Sequence, residues 1–423
     1  NDTSPYYINS GYSVATYQRG DKKIYGMTIP ENMKSTNLKP ERKNAWEVGL
    51  DWRFFDSRIG VDLTYYKENT RNQIMTINVP WESGVKEKLI NAGNIQNSGI
   101  EIALNTTPIK KKQWQWDLNF TYTRNRNKIV ELSPDVTSYI NLDGAANYGN
   151  YRIASVAKVG SDYGMLMSDS WIKTDEKTGK PVVGYTNKFR TVYYKRGGTV
   201  KEVGSMLPNF LGSLNSTLRW KDLSLYVLFD ARFGGYVASY NSRYATAYGF
   251  SGETEKYRKG MTWTSKYANA QDKVFTDGFI PDVVFDAGTI VTTPGGTNQD
   301  VSGMTYQEAY EKGYVEPAHL QSAAYFKNSW GTGVINDDWF KKINYIALRE
   351  ITLSYNVPTK ISSYIGAKNL SLSFTGRNLA YLLNTAPNHE NPESVRGTGA
   401  AQFRMRSFMP YTASYLFTLN ATF

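Results

Sequence analysis

The sequence has no cysteine and only two histidines in 423 residues. Without cysteine there is no disulfide framework, no thiol nucleophile and no thiolate metal site. His319 and His389 fall in regions read as loops, and neither has the partner spacing of a metal site or a Ser-His base. Gly295-Gly296 and Gly397-Thr398-Gly399 do not complete a phosphate-binding loop and read as loop glycines. No catalytic constellation, cofactor or metal is therefore expected, and the chain does not read as an enzyme. No apolar run approaches the length of a membrane helix.

Charge is present but dispersed. Lys and Arg number 49 against 38 Asp and Glu, a net charge of +11, with an isoelectric point near 9.3. Because the basic residues are scattered rather than clustered, nucleic acid is not an expected partner. A cationic rim facing anionic lipopolysaccharide or an acidic ligand fits better. Mean hydropathy is −0.50, which suits a soluble protein, but also a membrane barrel whose lumen and loops are polar. Tyrosine is abundant, with 32 Tyr beside 18 Phe and 10 Trp. Amphipathic aromatics suit a membrane–water boundary; a Tyr-rich carbohydrate-binding or adhesive β-protein is the alternative.

The strongest pattern is alternation with period two, the mark of a strand with one apolar and one polar face. At the C-terminus Tyr415, Phe417, Leu419 and Phe423 are apolar between Ser414, Thr418, Asn420 and Thr422, with Leu416 the exception. Residues 43–55 place Trp46, Val48, Leu50, Trp52 and Phe54 on one face. Val61, Leu63 and Tyr65 follow a turn at Asp56-Ser57. Further segments run through Ile100, Ile102 and Leu104; Trp114, Trp116, Leu118, Phe120 and Tyr122; Phe210, Leu214, Leu218 and Trp220; Leu223, Leu225, Val227 and Phe229; 342–357; and Leu370, Leu372 and Phe374. In 342–357 the parity slips after Leu348, which predicts a β-bulge at Arg349-Glu350.

Nine strands are thus predicted. Their connections alternate between short, near 56, 111, 221 and 363, and long, over roughly 76–95, 131–209, 238–341 and 380–411. Outer-membrane barrels have this asymmetry, with short periplasmic turns and long extracellular loops. The segments also match a tilted membrane crossing of about 9–11 residues, where sandwich strands have about 5–6. The expected fold is an all-β transmembrane antiparallel barrel. Trp52, Trp114, Trp116, Trp220 and Phe423 lie near the short-turn side and are expected to form its lower aromatic girdle. Bacterial single-chain barrels have even strand counts. Either one strand lies in 11–19 or 147–158, or the chain is the C-terminal portion of a larger barrel, which is the preferred expectation. A barrel must be secreted, and the chain begins at Asn1 without a signal peptide, so its start is expected to be a processed or truncated end.

Several motifs occur in a specific order: Asn37-Leu38-Lys39-Pro40-Glu41 before Glu47-Val48-Gly49-Leu50-Asp51, then Asn91-Ala92-Gly93-Asn94-Ile95-Gln96-Asn97-Ser98-Gly99-Ile100-Glu101. Leu207-Pro208-Asn209-Phe210 and Trp220-Lys221-Asp222-Leu223 follow. Leu348-Arg349-Glu350-Ile351-Thr352-Leu353-Ser354-Tyr355-Asn356-Val357-Pro358, Gly376-Arg377-Asn378-Leu379, Pro392-Glu393 and terminal Phe423 complete the series. In this order the chain resembles the C-terminal half of SusC/RagA-like TonB-dependent outer-membrane transporters of Bacteroidetes. The resemblance implies that residues 1–423 are the C-terminal part of a plugged barrel, with the plug domain and first strands absent from this chain. It implies TonB-energised import of a bulky nutrient, usually an oligosaccharide and sometimes a peptide, and a SusD-like surface lipoprotein as lid. It also implies contact with the TonB complex through the N-terminal part, and a dimer of transporter–lipoprotein pairs. A structural or adhesive outer-membrane barrel without transport is the rival.

For a ligand, aromatic faces with neighbouring Asn or Asp suit sugars, whose CH groups stack on rings while their hydroxyls are hydrogen-bonded. The candidates are Trp81, Tyr139, Trp171, Trp330 and Asp337-Asp338-Trp339. For each, loop packing or girdle anchoring is the alternative role.

Overall fold

The computed structural model describes residues 11–423 apart from 29, 35–37, 80, 92, 135, 137, 143–146, 149–152, 249, 253–259, 320–334, 336–338, 397–398 and 407–409. Nine long strands form the main path of one sheet. They are β1 (Arg42–Phe54), β2 (Ile59–Arg71), β3 (Gly93–Lys110), β4 (Trp114–Leu132), β5 (Phe210–Trp220), β6 (Leu223–Ser239), β7 (Phe340–Val357), β8 (Asn369–Asn384) and β9 (Ser414–Thr422). Each pairs antiparallel with the next in sequence order. All nine predicted segments are present. Ser13–Arg19 instead makes a hairpin with Lys22–Thr28, and Ile153–Lys158 joins a small loop sheet. Neither belongs to the main path.

The register sorts side chains onto two faces, with few exceptions such as Leu228, Leu416 and Ser216. Residues opposite one another in an antiparallel ladder share a face. One row reads Trp52, Val61, Leu104, Phe120, Leu214, Phe229, Leu348 and Ala380. A lower row reads Trp116, Leu218, Leu225, Leu353, Phe374 and Phe417. This face is apolar yet open: Phe374 is 53% exposed and Phe417 70%. An apolar surface spanning nine strands is far larger than water tolerates on a monomer.

The opposite face is polar and hydrogen-bonded across strands. Asn215 Nδ2 donates to Asn119 Oδ1 at 3.3 Å, and Asn119 bonds on to Asn105. Thr121 and Ser213 are 2.6 Å apart, Thr352 and Thr375 2.9 Å, and Ser354 and Ser373 2.9 Å. Asp117 lies here, accepting from Thr107, Gln115 and Arg219. Glu101, opposite Thr123, shares this face.

The predicted bulge is present. Leu228 pairs with Glu350 and Phe229 with Leu348, so Arg349 is the extra residue. Leu348 stays on the apolar face while Arg349 and Glu350 both turn to the polar face, where Arg349 meets Asp230 and Glu350 meets Arg377. A single inserted residue thus places two adjacent charges on the side where they have partners.

Short turns close one end of the sheet. In the first, Phe55, Asp56 and Ser57 all adopt left-handed backbone, with φ of 52°, 53° and 63°. At the other end the long connections are folded. Period-two reasoning reads 238–341 as irregular, but its strands are a few residues long, too short to show a period. There Val182–Thr186 pairs with Thr191–Tyr194 and runs parallel to Val284–Phe285, so two loops distant in sequence share one sheet. Val183, Val192, Phe285, Val291, Val301, Tyr306 and Ala309 form its core. Tyr306 is fully buried, and its hydroxyl donates to the Glu316 carbonyl at 2.8 Å. The helix Tyr306–Glu311 begins with a capping box between Thr305 and Glu308. A second cluster of Ile153, Leu166, Met206, Ala238, Phe340 and Phe403 ties two long loops to the tops of β6 and β7.

Candidate functional site: the polar mouth

Above the polar face the connection between β8 and β9 turns inward over the strands. Its Glu393 meets the bulge residue Arg349: Nη2 donates to Oε1 at 2.6 Å and Nη1 to Oε2 at 2.8 Å. Arg349 also donates to Asp230 at 2.8 Å. Tyr381 donates to Glu393 Oε2 at 2.8 Å, and Tyr345 lies 3.4 Å from Oε1. Burial alone would raise the Glu393 carboxyl; the bonds from Arg349 and Tyr381 outweigh it and hold the group below its usual range. A neighbouring cavity of about 330 Å³ is lined by Leu207, Pro208, Arg232, Tyr345, Pro392, Glu393 and Gln402. Its wall thus carries one guanidinium, one carboxylate, a phenol and an amide. Such a set can bind a polar ligand by hydrogen bonds and charge; no nucleophile–base pair is built here.

The same connection carries a second carboxylate, Glu390, which is buried. Ser239 Oγ donates to both of its oxygens, at 3.0 and 3.1 Å. Burial pushes this carboxyl up, against those bonds.

The predicted ligand residues are not gathered in one place. Tyr139 starts a short strand opposite Lys158. Trp171 is half-buried, with Nε1 donating to the Ser168 carbonyl at 2.7 Å. Trp339 is 2% exposed, beneath Arg243, so it packs the root of β7 rather than offering a stacking face. Trp81 opens the turn Trp81–Ser83. Trp330, Asp337 and Asp338 lie outside the described residues. Single-residue reasoning missed Arg349, Glu393, Arg232 and Tyr345, although the parity slip at Arg349 was a usable signal.

The predicted girdle residues share the apolar face near the short turns. Trp114 stacks on Trp220, with centroids 5.5 Å apart. Trp116 Nε1 is satisfied by Ser216 at 2.9 Å. Trp52 and Phe423 are exposed. His319 has a partner that spacing did not reveal: Nδ1 faces Asp277 at 3.1 Å, beside the rings of Trp263 and Phe275. Among the described residues no group of three His, Asp or Glu is placed to hold a metal ion.

The strands form an antiparallel meander with one open apolar face, short turns at one end and folded loops at the other. The family model for the TonB dependent receptor-like β-barrel matches residues 3–236. The chain belongs to this family. It is 23% identical over 363 residues to TonB-dependent receptor P26 of Formosa agariphila, covering 84% of this chain and 31% of that protein. It is 28% identical over 180 residues to TonB-dependent receptor SusC of Bacteroides thetaiotaomicron, covering 42% of this chain and 17% of that one. In fold it is similar to the RagAB peptide importer in its open-open state, with a TM-score of 0.61, 14% identity, and coverage of 100% of this chain and 38% of the other. The resemblance carried by the motifs is borne out. The chain spans about a third of the length of these first relatives. The family is one of outer-membrane receptors rather than enzymes, and the protein resides in the bacterial outer membrane. The apolar face of β1–β9 is accordingly its lipid face.

Proposed function

We propose that the protein carrying this chain imports a bulky nutrient, an oligosaccharide in the first place, across the outer membrane. The chain supplies the C-terminal part of the barrel. In support, β1 and β9 each keep one edge without a partner strand among the described residues, and hydrocarbon does not tolerate an open edge. The remaining strands and the plug are assigned to the N-terminal part, which also takes the pull of the TonB complex. A SusD-like lipoprotein caps the mouth, and transporter–lipoprotein pairs associate as dimers.

The observation that carries this reading is the construction of the mouth. Two long loops fold into one hydrophobic core, and a third turns inward to Glu393 and Arg349. Loops so long and so well packed are usually functional. They form a firm platform for a lid, and the hydrogen-bonding wall suits a hydroxyl-rich cargo. The aromatics Tyr139 and Trp171 and the lower girdle of Trp52, Trp114, Trp116, Trp220 and Phe423 complete the proposed roles.

A peptide cargo is the second reading. Arg232 and Glu393 place opposite charges on one cavity wall, which complements a zwitterionic ligand better than a neutral sugar.

Native pull-down under mild detergent, with mass spectrometry of co-purified material, tests these points together. A surface lipoprotein and a bound glycan are expected; bound peptide would select the second reading. A protein that purifies alone and supports no uptake would be a structural barrel.

A further inference from the structure

The lipid face changes character abruptly toward the long-loop end. On β4 it runs Phe120, Tyr122, Arg124, Arg126, Lys128, and on β2 Leu63, Tyr65, Lys67. Register joins these into rows: Val48, Tyr65, Ile100 and Arg124; then Trp46, Lys67, Ser98 and Arg126; then Asn44, Asn69, Gln96 and Lys128. The height agrees with a headgroup position. Ten steps separate Trp114 from Arg124 on β4 (124 − 114 = 10). At about 3.3 Å per residue and a tilt near 40°, Arg124 stands about 25 Å above Trp114, the height of an apolar band.

These cations are uncommitted. Arg124 and Lys67 are half-buried, while Arg126 and Lys128 are exposed. Among the described residues none of the four makes an ion pair. By contrast Lys43, on the polar face, holds Glu68 at 2.6 Å. β5 begins only at Phe210, so above Thr123 the β4 edge parts from it. The gap is a cleft of about 480 Å³ whose lining joins Gln96, Ser98, Arg124, Arg126 and Lys128 of the lipid face to Asn125 and Asn127 of the other face and to the loop stretch 207–209. Two acidic groups are near: Asp162 on the cleft rim and Glu131 opposite Asn94 at the strand tip. The balance remains cationic.

We propose that the outward cations of this cleft bind the phosphorylated headgroup of an outer-leaflet glycolipid, lipopolysaccharide through its lipid A phosphates. Acyl chains then lie on Leu63, Ile102 and Tyr122 in the row below Arg124, and phosphate sits between Arg124, Arg126 and Lys128. Guanidinium forks suit phosphate oxygens. By register Arg124, Arg126 and Lys128 belong to the lipid face, so the inference is independent of which nutrient is carried.

The test uses the full-length protein carrying this chain, in nonionic detergent, with native mass spectrometry and bisphosphorylated or dephosphorylated lipid A as probes. Each basic residue near an anionic surface contributes about fivefold in affinity, so three give about a hundredfold. The triple variant Arg124→Gln, Arg126→Gln, Lys128→Gln is expected to lose binding by that order, and Arg126→Gln alone by about fivefold. Arg126 is exposed, so the single variant is a safe readout if the triple one folds poorly. Removing equal charge at the opposite end, with Lys110→Gln, Lys111→Gln and Lys112→Gln, should leave binding unchanged. Wild type should prefer the bisphosphorylated lipid, and excess inorganic phosphate should not displace it. The proposal is overturned by undiminished binding in the variants at 124, 126 and 128, or by equal loss in the 110–112 variant. Ready displacement by inorganic phosphate would make the cleft a free-anion site and overturn the lipid assignment.

Discussion

Arg349 and Glu393 form a two-point contact, 2.6 and 2.8 Å, between the one bulged residue of β7 and the loop that folds over the polar face. In sequence they belong to the separate stretches Leu348-Arg349-Glu350 and Pro392-Glu393. Asp230 completes the site, so one guanidinium neutralises two carboxylates from different elements. Removing Arg349 leaves both acids facing each other. Because the acids are more than a third exposed, the cost is moderated by water. Arg349→Gln should weaken the local contact by about 1–2 kcal/mol. Hydrogen exchange should show faster amides near residue 393 and an unchanged barrel; equal exchange in both proteins would contradict the role assigned to Arg349.

The two carboxylates of that loop should respond to acid in opposite ways. Glu393 is lowered in the folded state, so its contribution is present at neutral pH. That contribution is lost as pH falls through the folded value, below the ordinary 4.5. Glu390 is raised, so the fold favours its protonated form. Its contribution is complete below 4.5 and is lost as pH rises through its folded value. Glu390→Gln should therefore protect the loop at pH 7, measured by hydrogen exchange, and give no benefit at pH 4. Glu393→Gln should deprotect it at pH 7.

The loop core should fail independently of the wall. Tyr306 is fully buried in it. Tyr306→Ala should cost about 3–5 kcal/mol through cavity formation and the lost hydroxyl bond. Limited proteolysis should then cut within 182–194 or 283–318 while the heat-modifiable barrel persists. Loss of the barrel as well would show one cooperative unit.

On the final strand, face should decide tolerance. Phe417 stands in the lipid row with Phe374, whereas Thr418 faces the other way, opposite Ser373. Phe417→Lys should cost about 2–4 kcal/mol if near the bilayer midplane, and Thr418→Lys much less. Deleting Phe423, whose carbonyl accepts from Lys368 at 3.2 Å, should lower the assembled barrel in outer membranes. Unchanged levels of heat-modifiable band would count against that.

The wall was legible because hydrocarbon enforces alternation. Trp116, Leu118 and Phe120 had to face one way and Asp117 and Asn119 the other, so nine segments stood out. Their upper halves did not. β4 continues to Leu132, but above the apolar band Arg124, Asn125, Arg126 and Asn127 are polar on both faces, and the period vanishes. The mouth was obscure for another reason. Its core pairs Val182–Thr186 with Val284–Phe285, short strands a hundred residues apart whose contact no local pattern announces. Aromatic residues chosen singly, such as Trp339, proved to be packed. The signal that did point to the mouth was the parity slip at Arg349.

The central claim is that β1–β9 form a membrane wall with a lipid face and a lumenal face. The chain has no cysteine, so each cysteine introduced for spin labelling is unique within it. Labels at successive positions 115–122, in the full-length protein in bilayers, should alternate. Trp116, Leu118, Phe120 and Tyr122 should be open to oxygen dissolved in lipid; Gln115, Asp117, Asn119 and Thr121 should be open to a water-soluble nickel chelate. Alternation in this phase is the predicted result. The inverse phase, or uniform access to the chelate, would contradict the account.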